Sequence, residues 1–578
     1  MASHPSSSAE TTPDLLGDPA FLPQLPLAGF EVQGLPPLEP DDTEHGAVFT
    51  RRWVVELILD LAGYTADKDL AEMVAIEPAC GDGAFLAPMV ERLSESCRRH
   101  GREIHEARGA IRAYDLQAHS VSASQLAVAK ALRQANWKAT SVEQLTAAWI
   151  SHADFLLNDH PQADFVLGNP PYVRLEAVPS ARSSAYRRTC QTMGGRADLF
   201  VGFYEIGLKT LKPDGALAFI CADRWMRNQY GRLLRKLVSE HFSFEAAIEM
   251  HDVDAFAEEV SAYPSITVIR RRPQQTALVV ETTKPFGEPA ATALGAWAAN
   301  GAKRPLRTSS FRAASLSGWF DGQGSWPAGS PARLALLQEL EERLPPLEDS
   351  TTGTRVGIGV ATGADKVFVT NDTSVAERDR LLPMAMAFDT MSGELEWSGH
   401  YLVDPWSKDG SGLVDLADFP QLDAYYETNA DSLRRRNVAG RRPAQWFRTI
   451  DRVDHSLTPR DKLLFPDIKA AIHPVLDRGK YYPHHNLYFV VSEKWDLEVL
   501  GGLLLSRVAQ LFIESYAVRM RGGYLRFQAQ YLRRIRVPSI EKVTRAQAER
   551  LRQAFRARDV DLATTCALEL YEVPEIPE

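Results

Sequence analysis

The sequence has little cysteine and no long apolar run. Its five cysteines are scattered along the chain and form no CxxC pair, which argues against a disulfide framework and a cysteine-bound structural zinc. No apolar stretch approaches the roughly 18 residues of a membrane helix. The first 50 positions hold no Lys or Arg, so the basic start of a signal peptide is missing. These absences predict a cytoplasmic protein without a resident metal.

The chain is long, and its charge is unevenly distributed. Its 578 residues exclude one small module and allow roughly three or four domains. The formal net charge is −10, yet residues 431–550 contain 23 Lys and Arg against 12 Asp and Glu. This local excess of basic residues indicates a polyanion partner, with a solvated charged face as the alternative.

Composition and periodicity divide the chain into five segments. Residues 1–43 carry eight prolines and seven acidic residues but no basic ones, which predicts a disordered arm. Residues 44–272 alternate short apolar runs with helical stretches, which predicts an α/β fold: a mostly parallel sheet with crossover helices and a late antiparallel strand, expected at SITVIRRR. We then expect a connection with some local structure at 273–330, a mixed α+β domain at 331–545, and a C-terminal helix and tail at 546–578.

Several local expectations follow from the same patterns. Thr50 is a plausible N-cap for a first helix that ends at Gly63. In the mixed domain, KVFV and YLRRIRVP are predicted as strands, and residues 499–519 as one helix. A single amphipathic helix is predicted over residues 543–570.

Polar residues follow the predicted strands at four successive ends. The run IEPACGDGAFL turns through Gly81 and Gly83, where glycine lets the backbone approach a ligand closely. Asp115 ends the next strand, where a carboxylate can accept both ribose hydroxyls of a nucleoside cofactor. Asp154 is suited to accept from an adenine amino group, and Asn169 begins NPPY after an apolar strand. Open α/β sheets bind ligands at such strand ends.

The order of these motifs resembles the amino-DNA methyltransferases that use S-adenosylmethionine (SAM). Because Phe49-Thr50 precedes the glycine turn and Asn169-Pro-Pro-Tyr172 follows it, the chain looks like the γ group, typified by TaqI. Arg51 departs from the usual FTP pattern. The resemblance covers about residues 46–272 and implies a SAM-dependent Rossmann-like catalytic domain. The basic region is similar to the DNA-specificity domain of that family.

The resemblance implies a catalytic role for NPPY. In the family, the Asn side-chain oxygen and the first Pro carbonyl accept the amino hydrogens of a flipped base, here Asn169 and Pro170. Tyr172 would stack on that base, and Phe256 matches a second aromatic contact. No general base is required, because the proton becomes acidic only after methyl transfer.

The same resemblance implies the binding residues. Those expected to hold SAM are Thr50 near the methionine carboxylate, Glu77 near its amino group, Ala79 and Gly81 as backbone neighbours, Asp115 on the ribose, and Asp154 with Phe155 around the adenine. Residues expected to contact DNA come from two Arg-rich clusters of the basic region. They are Arg434, Arg436, Trp446, Arg448, Arg521, Tyr524 and Arg526.

The expected activity is methylation of adenine N6 at specific sites in double-stranded DNA, by a prokaryotic monomer that protects host DNA from a separate restriction endonuclease. Asn at position 169 favours adenine over cytosine. Methylation of RNA or of protein glutamine with the same NPPY chemistry, a bifunctional restriction enzyme, and a DNA-binding protein with a vestigial methyltransferase fold remain as alternatives.

Overall fold

The computed structural model describes residues 49–258, 263–317, 320–517 and 523–578. The chain divides into two compact units, Met1–Pro331 and Ala332–Glu578. The acidic arm expected at residues 1–43 lies outside the described residues. No helix in the described ranges is both long and apolar enough to cross a membrane.

One ten-stranded sheet forms the centre of the first unit. Its strands are β1 (Ala75–Glu77), β2 (Ile111–Asp115), β3 (Ile150–His152), β4 (Ala163–Gly168), β5 (Leu211–Ala222), β6 (Ser243–Glu249), β7 (Pro264–Arg270), β8 (Thr276–Thr282), β9 (Leu306–Arg307) and β10 (Phe311–Ser317). They lie in the order β3-β2-β1-β4-β5-β7-β6-β8-β10-β9. Strands β1 to β5 pair in parallel, whereas β7 runs antiparallel between β5 and β6. The predicted α/β class and late antiparallel strand are confirmed.

Helices connect these strands and cover the sheet. They are α1 (Arg52–Ala62), α2 (Leu86–Arg99), α3 (Ala118–Gln134), α4 (Ala139–Trp149), α5 (Ser180–Thr189), α6 (Phe200–Thr210), α7 (Arg224–Arg227), α8 (Arg232–His241) and α9 (Glu288–Ala299). The apolar stripe of α1 is buried, and Gly63 ends the helix with a φ of 77°, as expected. Thr50, however, is not the N-cap: Arg51 holds that position, without a side-chain cap bond.

Residues 273–330, predicted as a connection between domains, contribute strands to the central sheet. Strands β8, β9 and β10 in this range extend the sheet beyond β6, with β8 parallel to β6 and β10 antiparallel to β8. The small residues that suggested a linker, such as Ala313 and Ala314, are buried in this added sheet. Composition failed here because backbone pairing does not require large side chains.

The second unit contains three smaller sheets. Their strands are β11 (Arg355–Ile358), β12 (Val369–Thr370), β13 (Leu381–Ala385), β14 (Tyr401–Val403), β15 (Asp461–Pro466), β16 (Ile468–Lys469), β17 (Val475–Arg478), β18 (Tyr482–Pro483), β19 (Leu487–Val491) and β20 (Leu525–Arg526). The sheet orders are β11-β19-β15-β17, β12-β14-β13-β18 and β16-β20. Opposite each other on β15 and β17, Lys462 and Asp477 form a fully buried ion pair at 2.7 Å.

The second unit also contains helices. They are α10 (Pro331–Arg343), α11 (Asp365–Phe368), α12 (Pro420–Thr428), α13 (Ala430–Arg434), α14 (Asn437–Arg441), α15 (Leu497–Leu505), α16 (Arg507–Tyr516), α17 (Ala529–Leu532), α18 (Arg545–Ala557) and α19 (Val560–Tyr571).

Two predicted long helices are each broken in two by a capping residue. Ser506 accepts from the backbone of Ala509 and starts α16 anew. Arg558, with a φ of 57°, ends α18, and Asp559 caps α19.

Two predicted strands are also wrong in part. KVFV is mostly the helical turn α11, with only its last residue in β12. YLRRIRVP begins in α17 and contributes one isolated bridge, between Arg536 and Pro346.

Candidate active site

A cavity opens at the carboxyl ends of the parallel strands β1, β2 and β4. The empty space inside it, counting the open solvent at its mouth, is about 1140 Å³. The cavity is lined by Asn169 and by every residue that the resemblance implies for cofactor binding: Thr50, Glu77, Ala79, Gly81, Asp115, Asp154 and Phe155.

The glycine turn after β1 presents its backbone to Asp115. Gly81 and Gly83 both have positive φ, and a Cβ on Gly83 would lie 2.9 Å from the Cβ of Ala127 on α3. The Gly81 N–H donates to Asp115 Oδ2 at 2.9 Å, and the Gln117 N–H donates to Oδ1 at the same distance. These two bonds fix the carboxylate at the rim of the cavity.

Glu77 is a buried carboxylate that needs a positive partner. Its side chain is 2% exposed, and Oε2 has no hydrogen-bond partner among the described residues. Burial, and to a lesser extent the neighbouring charges of Asp115 and Asp82, raise the pKa of Glu77 well above its ordinary value. A cationic ligand group beside Oε2 would relieve both effects.

Asp154 is held by helix α5. Arg182 Nη1 donates to its Oδ2 at 2.5 Å, the Tyr186 hydroxyl donates to the same atom at 2.8 Å, and the Leu156 N–H donates to Oδ1 at 3.0 Å. Burial raises the pKa of Asp154, and the bonds from Tyr186 and Arg182 oppose that rise.

Sequence reasoning missed Arg182 and Tyr186. From sequence alone, the five arginines between positions 174 and 196 indicate a loop that clamps the DNA backbone or moves on binding, with a solvated loop as the alternative. The helical spacing of Arg182 and Tyr186, which places both on one face of α5, was the available signal.

Phe155 lies next to Asp154 in a stack of rings. Its ring is stacked on His160, at 4.4 Å between centroids, and on Phe203, at 5.4 Å. The residue is 2% exposed and still lines the cavity. This packing fixes the wall on the side where the adenine is expected.

Asn169 follows β4 and contacts Thr50 directly. Its Nδ2 donates to Thr50 Oγ1 at 3.1 Å. Thr50 is buried and held by a short antiparallel pairing, in which the Arg51 N–H donates to Ala255 and the Ala257 N–H donates to Phe49. The structure therefore ties Thr50 to the amide of NPPY, a contact that the resemblance did not imply.

Tyr172 and Phe256 form an aromatic pair near Asn169. Their ring centroids lie 6.3 Å apart at an angle of 78°, and the Tyr172 hydroxyl donates to the Ile220 carbonyl at 3.4 Å. Phe256 is bridged to Thr50 across the short antiparallel pairing. Neither ring is among those that line the cavity. Phe256 is 5% exposed and lies in the hydrophobic core of this unit, and Tyr172 packs partly buried against it.

In the second unit, two predicted DNA-contacting arginines have different environments. Arg434 is exposed, and its guanidinium lies 4.3 Å from the centroid of the Trp446 ring, which is itself largely buried. Arg436 instead donates to backbone carbonyls of Leu433, Thr362, Trp446 and Arg448. Four such bonds make Arg436 a structural cross-link, and its contact with DNA stays a prediction.

The other residues predicted to contact DNA also differ in their hydrogen bonds and exposure. Arg448 donates to the Gln445 side chain and the Thr449 carbonyl, both at 3.2 Å. Arg526 is paired with Asp467, whereas Tyr524 is 49% exposed. Arg521 lies outside the described residues.

Each of the two units contains a segment that matches a known protein family. The Eco57I restriction-modification methylase family matches residues 91–256, and the TaqI-like C-terminal specificity domain matches residues 422–537. The type II methyltransferase M.XhoI of Xanthomonas vasicola is 43% identical over 92% of this chain and 98% of its own length. M.PaeR7I of Pseudomonas aeruginosa, also a type II methyltransferase, is 42% identical over 91% of each chain.

Among solved structures, the type IIL restriction-modification enzyme MmeI in complex with DNA aligns over 90% of this chain and 72% of its own, with a TM-score of 0.53. Its 13% identity supports the shared fold alone. The two relatives that are 42–43% identical over more than nine tenths of the chain show the family as well as the fold. The chain belongs to the type II methyltransferases of restriction-modification systems.

Proposed function

We propose that the protein transfers the methyl group of SAM to N6 of adenine at specific sites in double-stranded DNA. The observation that carries this proposal is the position of Asn169, between a cavity rich in carboxylates and an aromatic pair. The relatives named type II methyltransferases support DNA as the substrate. A separate restriction endonuclease, a monomeric state and a cytoplasmic location complete the proposal.

The residues present fit SAM, which carries a sulfonium and an ammonium group. Glu77, Asp115 and Asp154 surround the cavity with negative charge, and buried Glu77 Oε2 is suited to accept from the ammonium. Asp115 is suited to accept from the ribose hydroxyls. Asp154 Oδ1 would accept from the adenine amino group while Arg182 and Tyr186 hold its other oxygen. When bound, SAM supplies an electrophilic methyl group.

NPPY would activate the target nitrogen by accepting hydrogen bonds. Asn169 Oδ1 and the Pro170 carbonyl accept the two amino hydrogens of the base, which localises the nitrogen lone pair for attack on the methyl carbon. Tyr172 and Phe256 provide aromatic faces for a base flipped out of the duplex, at a cost of a few kcal/mol for unstacking and unpairing. The proton leaves after transfer, when the nitrogen is cationic, so no general base is assigned.

Thr50 would set the orientation of the catalytic amide. An amide has one donor end and one acceptor end, and only the oxygen can accept from an amino group. Because Asn169 Nδ2 donates to Thr50 Oγ1, the carbonyl end is the one offered to the substrate. Thr50 is therefore proposed as a positioning residue, in addition to its implied place near the methionine carboxylate.

The proposed function is tested by transfer of labelled methyl from SAM to unmethylated genomic DNA, total RNA and a release-factor protein in parallel. We expect label only in N6-methyladenine of DNA. Asn169→Ala should nearly abolish transfer, because the amino group loses an acceptor, while SAM affinity stays within about twofold of wild type. Label in N4-methylcytosine would reject adenine, and label in RNA or protein would reject DNA as substrate.

Replacing Thr50 by Val should lower kcat about tenfold, the equivalent of one hydrogen bond, whereas its effect on SAM affinity reports separately on the implied place of Thr50 near the methionine carboxylate. Thr50→Ser keeps the acceptor oxygen and should retain near wild-type kcat. Single-turnover methylation and equilibrium SAM binding measure the two effects separately. A variant that loses SAM affinity but keeps kcat would restrict Thr50 to the cofactor.

Over an acid-to-neutral pH range, SAM affinity should weaken as the pH falls through the raised pKa of Glu77, because the carboxyl then takes up a proton and only its ionised form attracts the ammonium. Glu77→Gln should bind SAM about tenfold or more weakly at pH 7.5 and lose most of this pH dependence. Calorimetric titration across the range measures both effects. Glu72→Gln, an exposed substitution outside the cavity, is the control. Parallel pH profiles for wild type and Glu77→Gln would contradict the assignment.

The two arginines around Trp446 should respond differently to truncation. Arg434→Ala should weaken DNA binding and reduce its salt dependence by about one counterion, while leaving the unfolding temperature unchanged. Arg436→Ala should lower the unfolding temperature, because four backbone carbonyls lose their donor. Fluorescence anisotropy at several salt concentrations and thermal unfolding distinguish the two outcomes. Unchanged DNA binding by Arg434→Ala would remove it from the DNA-contacting set.

A further inference from the structure

A group of metal-binding side chains lies in the second unit, in chain segments that the proposed methyl transfer does not use. Asp365, His484 and His485 each offer a ligand atom, and these atoms all lie within 4.8 Å of one another. In the described ranges, no other group of three or more His, Cys, Asp or Glu residues has this spacing. Cysteine spacing in the sequence does not reveal this group, because none of its ligand atoms is a sulfur.

The separation of one pair of ligand atoms suits a first-row divalent metal. His484 Nε2 lies 3.2 Å from Asp365 Oδ2, a direct hydrogen bond that a bound ion would replace. Two ligand atoms bound tetrahedrally at Zn²⁺ distances of about 2.0–2.1 Å are separated by about 3.3 Å. His485 Nδ1 is buried without a hydrogen-bond partner in the described structure, which is costly for a polar atom unless something binds it.

The backbone around these residues is fixed by hydrogen bonds. The His484 N–H donates to the Ala385 carbonyl at 3.0 Å, and the His485 N–H donates to the Val360 carbonyl at 3.1 Å. Thr362 Oγ1 donates to the remaining oxygen of Asp365. Such outer bonds orient ligands before a metal arrives, as in established metal sites.

The exposure of the group also suits a metal. His484 is 2% exposed, whereas Asp365 is exposed and gives an ion access from solvent. Two imidazoles and one carboxylate form a donor set that Zn²⁺ accepts and Mg²⁺ does not favour.

We propose that Asp365, His484 and His485 bind one Zn²⁺ ion, with water completing the coordination. The ion would join the turn that begins α11 to the loop between β18 and β19, two segments about 120 residues apart in sequence. Its binding free energy would add to the stability of the second unit, because the unfolded chain has no preformed site. The site is independent of the proposed methyl transfer.

The test uses the full-length protein, without a histidine tag, after treatment with a chelator. ZnCl2 is titrated calorimetrically, the bound metal is measured by elemental mass spectrometry, and thermal unfolding is recorded with and without Zn²⁺. We expect one equivalent of Zn²⁺ with a dissociation constant of micromolar or below, a higher unfolding temperature, and no comparable effect of Mg²⁺.

Two variants and a control identify the ligands. Asp365→Asn changes an exposed side chain and His485→Gln a partly exposed one, and each should weaken Zn²⁺ binding at least tenfold. His400→Gln, a partly exposed histidine of the same unit, should bind as wild type does. Circular dichroism of the chelator-treated variants establishes that they are folded. Absence of stoichiometric Zn²⁺ binding by wild type, or undiminished binding by both folded variants, would overturn the proposal.

Discussion

Parallel pairing of β1 with β2 and β4 is the constraint on which the candidate site depends. Parallel strands end at the same edge of a sheet, so residues far apart in sequence are brought together there. Glu77 ends β1, Asp115 ends β2, and Asn169 follows β4. The cavity and its polar groups are consequences of this strand arrangement. The helices cover the sheet and pack against the turns that follow its strands.

The same edge creates an electrostatic problem. Three carboxylates surround one cavity, and one of them, Glu77, is buried without a described partner for Oε2. Asp115 is compensated by two backbone N–H groups and Asp154 by Arg182 and Tyr186. A cavity with this charge pattern attracts a cationic ligand and repels an anionic one. The field of the carboxylates therefore contributes to ligand selectivity in addition to the direct contacts.

How far the sequence predicts this molecule depends on whether a feature is local. The glycine turn, the strand-end residues and the late antiparallel strand follow from short motifs, so the cavity-lining residues were predictable. Strand β10 was not, because its small residues leave little hydrophobic signal, whereas the apolar residues Ala277–Val280 of β8 did carry one. The roles of Arg182 and His484 depend on partners 28 and 119 residues away in sequence, and no local pattern identifies such partners.

The contrast between Arg434 and Arg436 has a consequence for substitutions in the second unit. Arg436 donates hydrogen bonds to four backbone carbonyls, whereas Arg434 lies against the Trp446 indole and makes few other contacts. Substitutions at positions of the second kind change what the surface presents without loss of stability. Exposed side chains of this kind can therefore be exchanged with little change in the stability of the second unit, whereas a substitution of Arg436 removes the donor of four backbone hydrogen bonds.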